Sequence, residues 1–383
     1  MPRRTSGGFC KRDRRKEVVV MWKYEDITHV NLEVSSICNA ICPWCPRYVD
    51  MSTNVNPEVD VGYISLEKFK KYFPEDFIRQ IKFWTYSGDY GDACTNPELI
   101  EILEHTISLN PHARIQINTN GGMKNDKFWN RLGSLFVDRD MWVVFSIDGL
   151  EDTNHIYRRN VKWGKLMRNV SAYMSTGAKA HWDFLTFKHN EHQIEEVKSL
   201  ADTLGFDRVN IKLPQGFEGS NMMVKDSDYQ VLYQIEPINQ EQIKNPLPKV
   251  ENIIYTDIQD QVESWFKDTA GEIKCFSLRD GMEIRVTHKG EVMPCCMFGH
   301  MRHYPRHNNQ YHKAQVNHIL KDKKIDLNEW SLKEILDSDP FRWVYENWDD
   351  KKCLTCVGSC NVSETDKPIM QQIFNGEGLY GIA

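Results

Sequence analysis

The chain has 383 residues, of which 40% are hydrophobic and 27% are charged, so it can bury the core of one large domain and one small domain. Its net charge of −6 provides no electrostatic attraction for nucleic acid, and no apolar run is long enough to cross a bilayer. We therefore expect neither a nucleic-acid partner nor a membrane partner. Seven of the first 20 residues are basic, and we expect residues 1–23 to form a disordered tail.

Strand and helix patterns alternate between residues 21 and 213. Six strands alternating with helices predict a parallel sheet with right-handed crossovers, with too few strands to close an eight-stranded barrel. The predicted fold class is α/β, with an open (β/α)6 TIM-like barrel as its core over residues 24–215. The predicted strands lie near 29–35, 80–86, 113–118, 141–147, 180–187 and 207–213, and the predicted helices are 66–80, 97–109, 126–135, 164–175 and 191–204.

The pattern changes after the sixth strand. Residues 216–270 are predicted to be a linker with short helices that ends in one amphipathic helix over 250–267. Residues 271–383 contain a predicted hairpin, with strands over 282–287 and 291–295 and a turn at 288–290. We expect this last region to be a small C-terminal domain with a tail.

Three cysteines follow the first predicted strand. Cys38, Cys42 and Cys45 have a C-x3-C-x2-C spacing. Three thiolates on one tight loop suit three irons of a [4Fe–4S] cluster, and the fourth iron is then open to a substrate or cofactor. Zinc sites usually pair their cysteines as C-x2-C. The spacing therefore favours an iron–sulfur cluster over a zinc site or three unrelated buried cysteines.

This segment resembles the signature of radical S-adenosylmethionine (SAM) enzymes, which is C-x3-C-x-aromatic-C, with Trp44 as the aromatic residue. The resemblance extends over about residues 24–360. It implies the same open (β/α)6 barrel, a [4Fe–4S] cluster whose open iron binds SAM, and a place for Trp44 against the adenine.

The second predicted strand ends in a glycine-rich segment, Gly88-Asp89-Tyr90-Gly91-Asp92. Its two glycines allow a ligand to approach the backbone closely. The segment resembles the family motif that holds the amino group of SAM, although Tyr90 replaces a glycine and Asp92 replaces a glutamate. The alternative is a plain glycine-rich turn before a helix.

The third and fourth predicted strands end in small polar residues, which suit a ribose and a carboxylate. The fourth ends in an S-x-D-G segment, and similar enzymes place a tyrosine–arginine pair after it, here Tyr157-Arg158. The resemblance implies that Arg158 binds the SAM carboxylate; the alternative is a surface arginine. The expected SAM contacts from these segments are Asn118, Asn120, Ser146, Asp148 and Arg158.

The predicted C-terminal hairpin resembles part of the SPASM and twitch domains. Cys275, Gly290 and Cys295 match their C-x9-15-G-x4-C element, in which a hairpin carries a cluster ligand at each end. Cys296 competes with Cys295 for its place, although the glycine spacing favours Cys295.

The remaining ligands are expected from a later loop. Cys353, Cys356 and Cys360 have a C-x2-C-x3-C spacing, and no cysteine follows Cys360. The region therefore resembles the shortened twitch form with one auxiliary [4Fe–4S] cluster. The choice among these three cysteines is open, and a structural zinc site uses the same spacings.

Cys94 lies two residues beyond Asp92, near the predicted SAM pocket. It is a candidate catalytic hydrogen-atom donor. The alternative is a small buried side chain that fills space in the core.

The resemblance implies an oxidoreductase-type radical SAM enzyme. Such an enzyme cleaves SAM reductively to a 5′-deoxyadenosyl radical, which abstracts hydrogen from a substrate. The auxiliary cluster favours oxidation of a sugar, an aminocyclitol or a peptide, with a flavodoxin or ferredoxin as electron donor. A non-catalytic iron–sulfur electron carrier and a zinc-stapled binding module are the alternatives. Eleven cysteines at mainly metal-type spacings, without an export signal, indicate the cytoplasm.

Overall fold

The computed structural model describes residues 22–214, 217, 221–239, 272–273, 282–303, 310–321, 323–346, 353, 355–356 and 361–362. Within these ranges, no helix has the length and apolar character needed to span a membrane. The predicted tail and the predicted helix over 250–267 lie outside the described residues.

Most strands belong to one mainly parallel sheet. The strands are β1 (Ile27–Leu32), β2 (Phe83–Tyr86), β3 (Arg114–Thr119), β4 (Met141–Ser146), β5 (Lys179–Leu185), β6 (Arg208–Lys212), β7 (Met222–Lys225), β8 (Val231–Ile235), β9 (Glu272–Ile273), β10 (Met282–Val286), β11 (Val292–Met293) and β12 (Asn361–Val362). The eight-stranded sheet has the order β11-β10-β1-β2-β3-β4-β5-β6. All its neighbouring strands are parallel except β10 and β11. The predicted α/β class and six-stranded parallel core are confirmed, and the arrangement is consistent with a partial TIM-like barrel.

Helices follow the parallel strands of the core, as predicted. They are α1 (Leu66–Tyr72), α2 (Glu75–Gln80), α3 (Leu99–Leu109), α4 (Asp126–Phe136), α5 (Asn154–Tyr157), α6 (Trp163–Met174), α7 (Ile194–Leu204), α8 (Cys296–Arg302), α9 (Gln310–Leu320), α10 (Leu332–Leu336) and α11 (Asp339–Glu346). The single helix predicted over 66–80 is instead two helices, because Pro74 precedes α2 and cannot continue α1. Gly205 ends α7 with a positive φ of 83°, which glycine adopts without strain.

The two faces of the sheet differ in polarity. Residues facing the helices are large and apolar: Trp84 on β2 packs against Phe69 of α1, and Phe145 on β4 packs against Trp129 of α4. The opposite face, the inner face, is mostly polar. Cross-strand partners share a face in this register, so Ser146, Asp183 and Asn210 lie side by side on it. The inner face is therefore suited to a polar ligand, and the helix side holds the core.

The predicted C-terminal hairpin extends the core sheet. Strand β10 lies parallel to β1, and β11 returns antiparallel to β10. Gly290 in the turn has a φ of 96°, and an added Cβ there would lie 2.9 Å from the Tyr72 ring. The turn thus needs glycine, as expected. The division of the chain into a core and a C-terminal domain stays a prediction, but this hairpin belongs to the core sheet.

Residues 222–235 differ from their prediction. They form a two-stranded antiparallel sheet of β7 and β8, where a linker with short helices was expected. Alternating burial explains strand β7: Met222 and Val224 are fully buried, whereas Met223 and Lys225, which alternate with them, are half-buried.

Candidate functional site

The three cysteines of the C-x3-C-x2-C motif lie on the loop after β1, at the carboxyl edge of the sheet. A turn closes between Cys42 and Cys45, where the Cys45 amide donates to the Cys42 carbonyl at 3.0 Å. Two backbone hydrogen bonds from other segments fix the loop. The Asp92 amide donates to the Ile37 carbonyl at 2.8 Å, and the Ile41 amide donates to the Arg159 carbonyl at 3.0 Å. The segments after β2 and β4 therefore hold the cysteine loop in place.

Each thiol lies near a polar group from a different crossover segment. Asn120 Nδ2, after β3, lies 3.6 Å from Cys38 Sγ. Arg158 Nη1, after α5, lies 3.6 Å from Cys42 Sγ. The Asp89 carbonyl, after β2, lies 3.8 Å from Cys45 Sγ. The loop thus sits where three crossover segments converge.

Burial controls the protonation of two of these thiols. It raises the pKa of Cys38, and nearby Asp92 adds to the shift. Burial also raises the pKa of Cys42, although Arg158 opposes the shift. Iron binds the thiolate, so loading these cysteines with a cluster would release protons.

The glycine-rich segment after β2 packs directly on the cysteine loop. A Cβ on Gly91 would overlap the Ser35 carbonyl and lie 2.6 Å from Ser36 Cα. A Cβ on Gly88 would overlap the Gly91 carbonyl. These glycines were expected to leave room for a ligand. In the structure, protein backbone fills the space that their missing side chains leave.

Asp92 is buried and its carboxylate is occupied by protein donors. Oδ1 accepts from the Cys94 amide at 2.9 Å and from Thr119 Oγ1 at 2.9 Å. Oδ2 accepts from the backbone amide and the side chain of Asn120, at 2.8 and 2.7 Å. Burial nevertheless leaves the pKa of Asp92 raised. Its contacts make Asp92 a residue that orients Asn120 toward Cys38.

Arg158 is paired with Asp148 at the end of β4. Arg158 Nε lies 2.5 Å from Asp148 Oδ2, and Asp148 Oδ1 accepts from the Leu185 amide at 2.7 Å. Burial opposes the charge on Arg158, but Asp148 and Cys42 keep its pKa raised. Arg158 is therefore a fixed cation beside the cysteine loop. It is not a solvated surface arginine, which was the alternative.

The other expected SAM contacts lie around the same edge. Asn118 is at the end of β3 and accepts from Gln116 Nε2 at 2.8 Å. Ser146 ends β4 on the inner face. Trp44 is half-buried on the cysteine loop and packs against the core. Tyr90 points the other way, since its hydroxyl donates to the Gly299 carbonyl of α8 at 3.1 Å.

Cys94 is fully buried in a short 3-10 helix, Ala93–Thr95. Burial raises the pKa of its thiol, and Asp92 contributes to the shift. This location agrees with the space-filling alternative. The hydrogen-donor role of Cys94 stays a prediction.

Arg285 of β10 was missed by the sequence analysis. It is fully buried and reaches the segment after β2, with Nη2 2.9 Å from Asp89 Oδ2 and 3.5 Å from Glu33 Oε2. Its Nη1 donates to Asn31 Oδ1 and, at 3.2 Å, to Ser87 Oγ. A signal was present in the sequence, because Glu283 and Arg285 interrupt an otherwise apolar strand pattern. Buried charges in such a run are normally paired.

The C-terminal cysteines are only partly described. Cys295 and Cys296 are buried where β11 leads into α8, and Cys353 and Cys356 are also buried. Cys275 and Cys360 lie outside the described residues. None of the described cysteines forms a disulfide.

Among the described residues, no three His, Cys, Asp or Glu side chains converge on a single metal-ion position. The three cysteines of a cubane bind three different irons, so they need not converge in this way. Cys38, Cys42 and Cys45 lie on one loop, form no disulfide and have an arginine beside them, which fits a [4Fe–4S] cluster better than a mononuclear zinc site.

Comparison with known proteins supports this interpretation. A family model described as "Radical SAM superfamily" matches residues 32–204. None of the curated proteins compared with the chain matches it. The solved structure of native anSMEcpe with bound AdoMet is similar, with a TM-score of 0.51, 12% identity, and coverage of 91% of this chain and 95% of that chain.

A second similar structure is that of Streptococcus suis SuiB bound to precursor peptide SuiA. It has a TM-score of 0.50, 12% identity, and coverage of 83% of this chain and 67% of SuiB. In the SuiB structure bound to S-adenosylmethionine, the TM-score is 0.45, the identity is 14%, and the match covers 72% of this chain and 61% of SuiB. The chain thus spans about three fifths of the length of that relative. At these identities the likeness concerns the fold, and it agrees with the match of residues 32–204 to the radical SAM family model.

Proposed function

We propose that Cys38, Cys42 and Cys45 hold a [4Fe–4S] cluster that binds SAM, and that the protein is an enzyme acting on a substrate by hydrogen abstraction. The observation that carries this proposal is the convergence of the segments after β2, β3 and α5 on the three thiols of one loop. When bound and reduced, the cluster supplies the electron that cleaves SAM to a 5′-deoxyadenosyl radical.

The residues around the thiols have distinct roles in this proposal. Arg158 has its guanidinium fixed by Asp148, and its Nη1 lies 3.6 Å from Cys42 Sγ. It provides positive charge for the SAM carboxylate. Asn118 and Ser146 would present small polar groups to the ribose, and Trp44 would present its ring to the adenine.

The Asp92 side chain has a different role in this proposal from the one first expected. Backbone carbonyls of Gly88–Asp92 would hold the SAM amino group, as expected, while the Asp92 side chain acts indirectly. Its carboxylate holds Asn120, whose amide group lies 3.6 Å from Cys38 Sγ. Asp92 is therefore a positioning residue in the proposal.

A second cluster belongs to the same proposal. Cys295, Cys353 and Cys356 are buried. Together with Cys275 they would complete four ligands for an auxiliary [4Fe–4S] cluster of the twitch type, and Cys360 is the alternative to Cys353 or Cys356. Such a cluster accepts an electron from the substrate radical, which would make the reaction an oxidation. A flavodoxin or ferredoxin in the cytoplasm would reduce the SAM cluster.

The substrate is a small molecule or a peptide in this proposal. Two of the similar structures are complexes with peptides, SuiB with precursor peptide SuiA and anSMEcpe with the Cp18Cys peptide. The mostly polar inner face accommodates either class.

Metal analysis of anaerobically reconstituted protein tests both sites. We expect about eight irons per chain, because each cubane contains four, and slow formation of 5′-deoxyadenosine under strong reductant with SAM alone. Zinc in place of iron would support a zinc-stapled binding module. Two intact clusters without SAM cleavage would support an electron carrier.

Cys275→Ala separates the two clusters. We expect this variant to lose about four irons and turnover of its substrate, and to keep SAM cleavage without substrate. The described hairpin belongs to the core sheet, so a cysteine substitution near the hairpin can disturb the SAM site indirectly. A matched Cys296→Ala variant measures this indirect effect. Full iron in Cys275→Ala would remove this residue from the auxiliary site.

A further inference from the structure

Three polar side chains form a connected cluster on β5 and β6, on the inner face of the sheet. Lys212 Nζ lies 2.6 Å from Asp183 Oδ2, and Asn210 Nδ2 donates to Asp183 Oδ1 at 2.7 Å. The side chains of Lys212 and Asp183 retain 19% and 21% of their exposure. The cluster is thus preformed by its own contacts and still accessible from the inner face.

This polar cluster is next to the proposed SAM site but is not part of it. Asp183 pairs in register with Ser146 of β4, one strand away. Lys212 ends β6 and pairs with Leu185 at the end of β5. In an open parallel sheet, ligands bind beside the carboxyl ends of the strands. The cluster therefore lies where a substrate would reach a radical formed near Ser146.

The unused hydrogen-bonding capacity of the cluster defines the ligand it fits. A carboxylate offers about four acceptor positions and an ammonium three donors, and the contacts above use two of the acceptors on Asp183 and one donor on Lys212. Asp183 thus keeps hydrogen-bond acceptor positions, and Lys212 keeps donors. The negative charge of Asp183 and the positive charge of Lys212 cancel, so neither an anionic nor a cationic ligand is favoured.

Hydroxyl groups satisfy this pattern, because each one donates and accepts a hydrogen bond. We propose that Asp183, Asn210 and Lys212 bind neighbouring hydroxyls of a neutral, hydroxyl-rich small molecule, a sugar or a cyclitol, as the substrate of the radical SAM site. This inference rests on the proposed function, and it selects a small molecule over a peptide.

The test measures 5′-deoxyadenosine formation by the reduced, fully reconstituted protein with excess SAM. The added compounds are glucose, N-acetylglucosamine, myo-inositol and scyllo-inositol, and separately a library of short peptides. We expect at least one polyol to raise the rate about 10-fold or more above the rate without substrate, and the peptides to leave it unchanged. Stimulation by peptides alone, or by no compound, overturns the inference.

Two variants locate the binding site. Asp183→Asn and Lys212→Met should each raise the KM for the stimulating polyol about 10-fold or more, because a hydrogen bond to a charged group is lost. Asp140→Asn is the matched control. Asp140 forms an exposed ion pair with Arg114 at 2.8 Å, just before β4 at the opposite edge of the sheet, and its variant should keep the wild-type KM.

An unchanged KM in both cluster variants overturns the assignment of the hydroxyl site. Circular dichroism and iron content show that each variant is folded and loaded. If the wild-type protein cleaves no SAM even without added compounds, the proposed function fails and this inference fails with it. Basal cleavage without polyol stimulation contradicts the hydroxyl site alone.

Discussion

Arg285, which is fully buried, and Asp89, which is partly buried, form an ion pair with Nη2 2.9 Å from Oδ2 between the C-terminal hairpin and the segment beside the cysteine loop. The backbone carbonyl of the same Asp89 lies 3.8 Å from Cys45 Sγ. Burial alone would disfavour the charge on Asp89, but Arg285 and His300 hold its pKa below the ordinary value. The hairpin therefore fixes the conformation of a segment that contacts the proposed cluster.

Arg285→Met should destabilise the protein strongly. The change leaves the buried Glu33 and the partly buried Asp89 without the guanidinium, and breaking a buried pair in this way costs about 3–5 kcal/mol. Denaturant unfolding of the reconstituted protein gives the free energy of unfolding. Surviving folded protein should also show a higher KM for SAM.

Arg131→Met is the control for that variant. Arg131 pairs with Glu101 and Glu104 on exposed helix surfaces, where an ion pair contributes about 0–1 kcal/mol. If Arg285→Met costs no more than this control, the hairpin does not hold the Asp89 segment.

Gly91→Ala should prevent the glycine-rich segment from packing on the cysteine loop. The added methyl group overlaps the Ser35 carbonyl and the Ser36 backbone, which cannot both shift without moving the loop. We expect the variant to lose about half of the iron that the wild type binds, measured after anaerobic reconstitution.

Gly164→Ala provides the same substitution in open space. Gly164 lies in α6, and its nearest neighbour would be a flexible Arg168 side-chain atom at 3.7 Å from the new Cβ. Alanine is the better helix former by about 1 kcal/mol, so iron content should be unchanged and stability unchanged or higher. Wild-type iron in Gly91→Ala would mean that the two segments are not tightly packed.

Glu283 should make stability depend on pH. Burial, assisted by Asp89, raises its pKa to about 7 from an ordinary value of 4.5, although its contact with Cys296 opposes the shift. Folding therefore favours the protonated form of the Glu283 carboxyl group. Its contribution is fully present below pH 4.5 and is lost as the pH rises through about 7, a total of about 3 kcal/mol.

Glu283→Gln removes this titration while keeping a hydrogen-bonding group of the same size. Relative to wild type, the variant should gain about 1 kcal/mol of stability between pH 6 and pH 8. The neighbouring His29, 3.1 Å away, has its pKa lowered to about 4 by burial, so it stays neutral across this interval. A stability difference that is the same at both pH values would show that Glu283 is already ionised at pH 6.

The core of the fold could be predicted because its signals are local. The first five of the six parallel strands are each short and followed by a helix, and the cysteine motif follows the first of them. The polar residues after β2, β3 and β4 therefore had to reach the same edge of the sheet as Cys38.

The non-local features could not be predicted in this way. The pairing of β10 with β1 joins residues more than 250 positions apart, and no local pattern encodes such a partner. The sequence also presented Asp92 and Arg158 as free to bind a ligand. Only their packing shows that Thr119, Asn120 and Asp148 already bind them.

The central claim is that the loop after β1 holds the cluster that cleaves SAM. The most direct measurement compares 5′-deoxyadenosine formation and iron content in the wild type and in the combined Cys38→Ala, Cys42→Ala, Cys45→Ala variant, both reconstituted anaerobically and reduced. The account predicts that the variant keeps about half of the iron and forms no 5′-deoxyadenosine. A variant with full iron content that still cleaves SAM would contradict it.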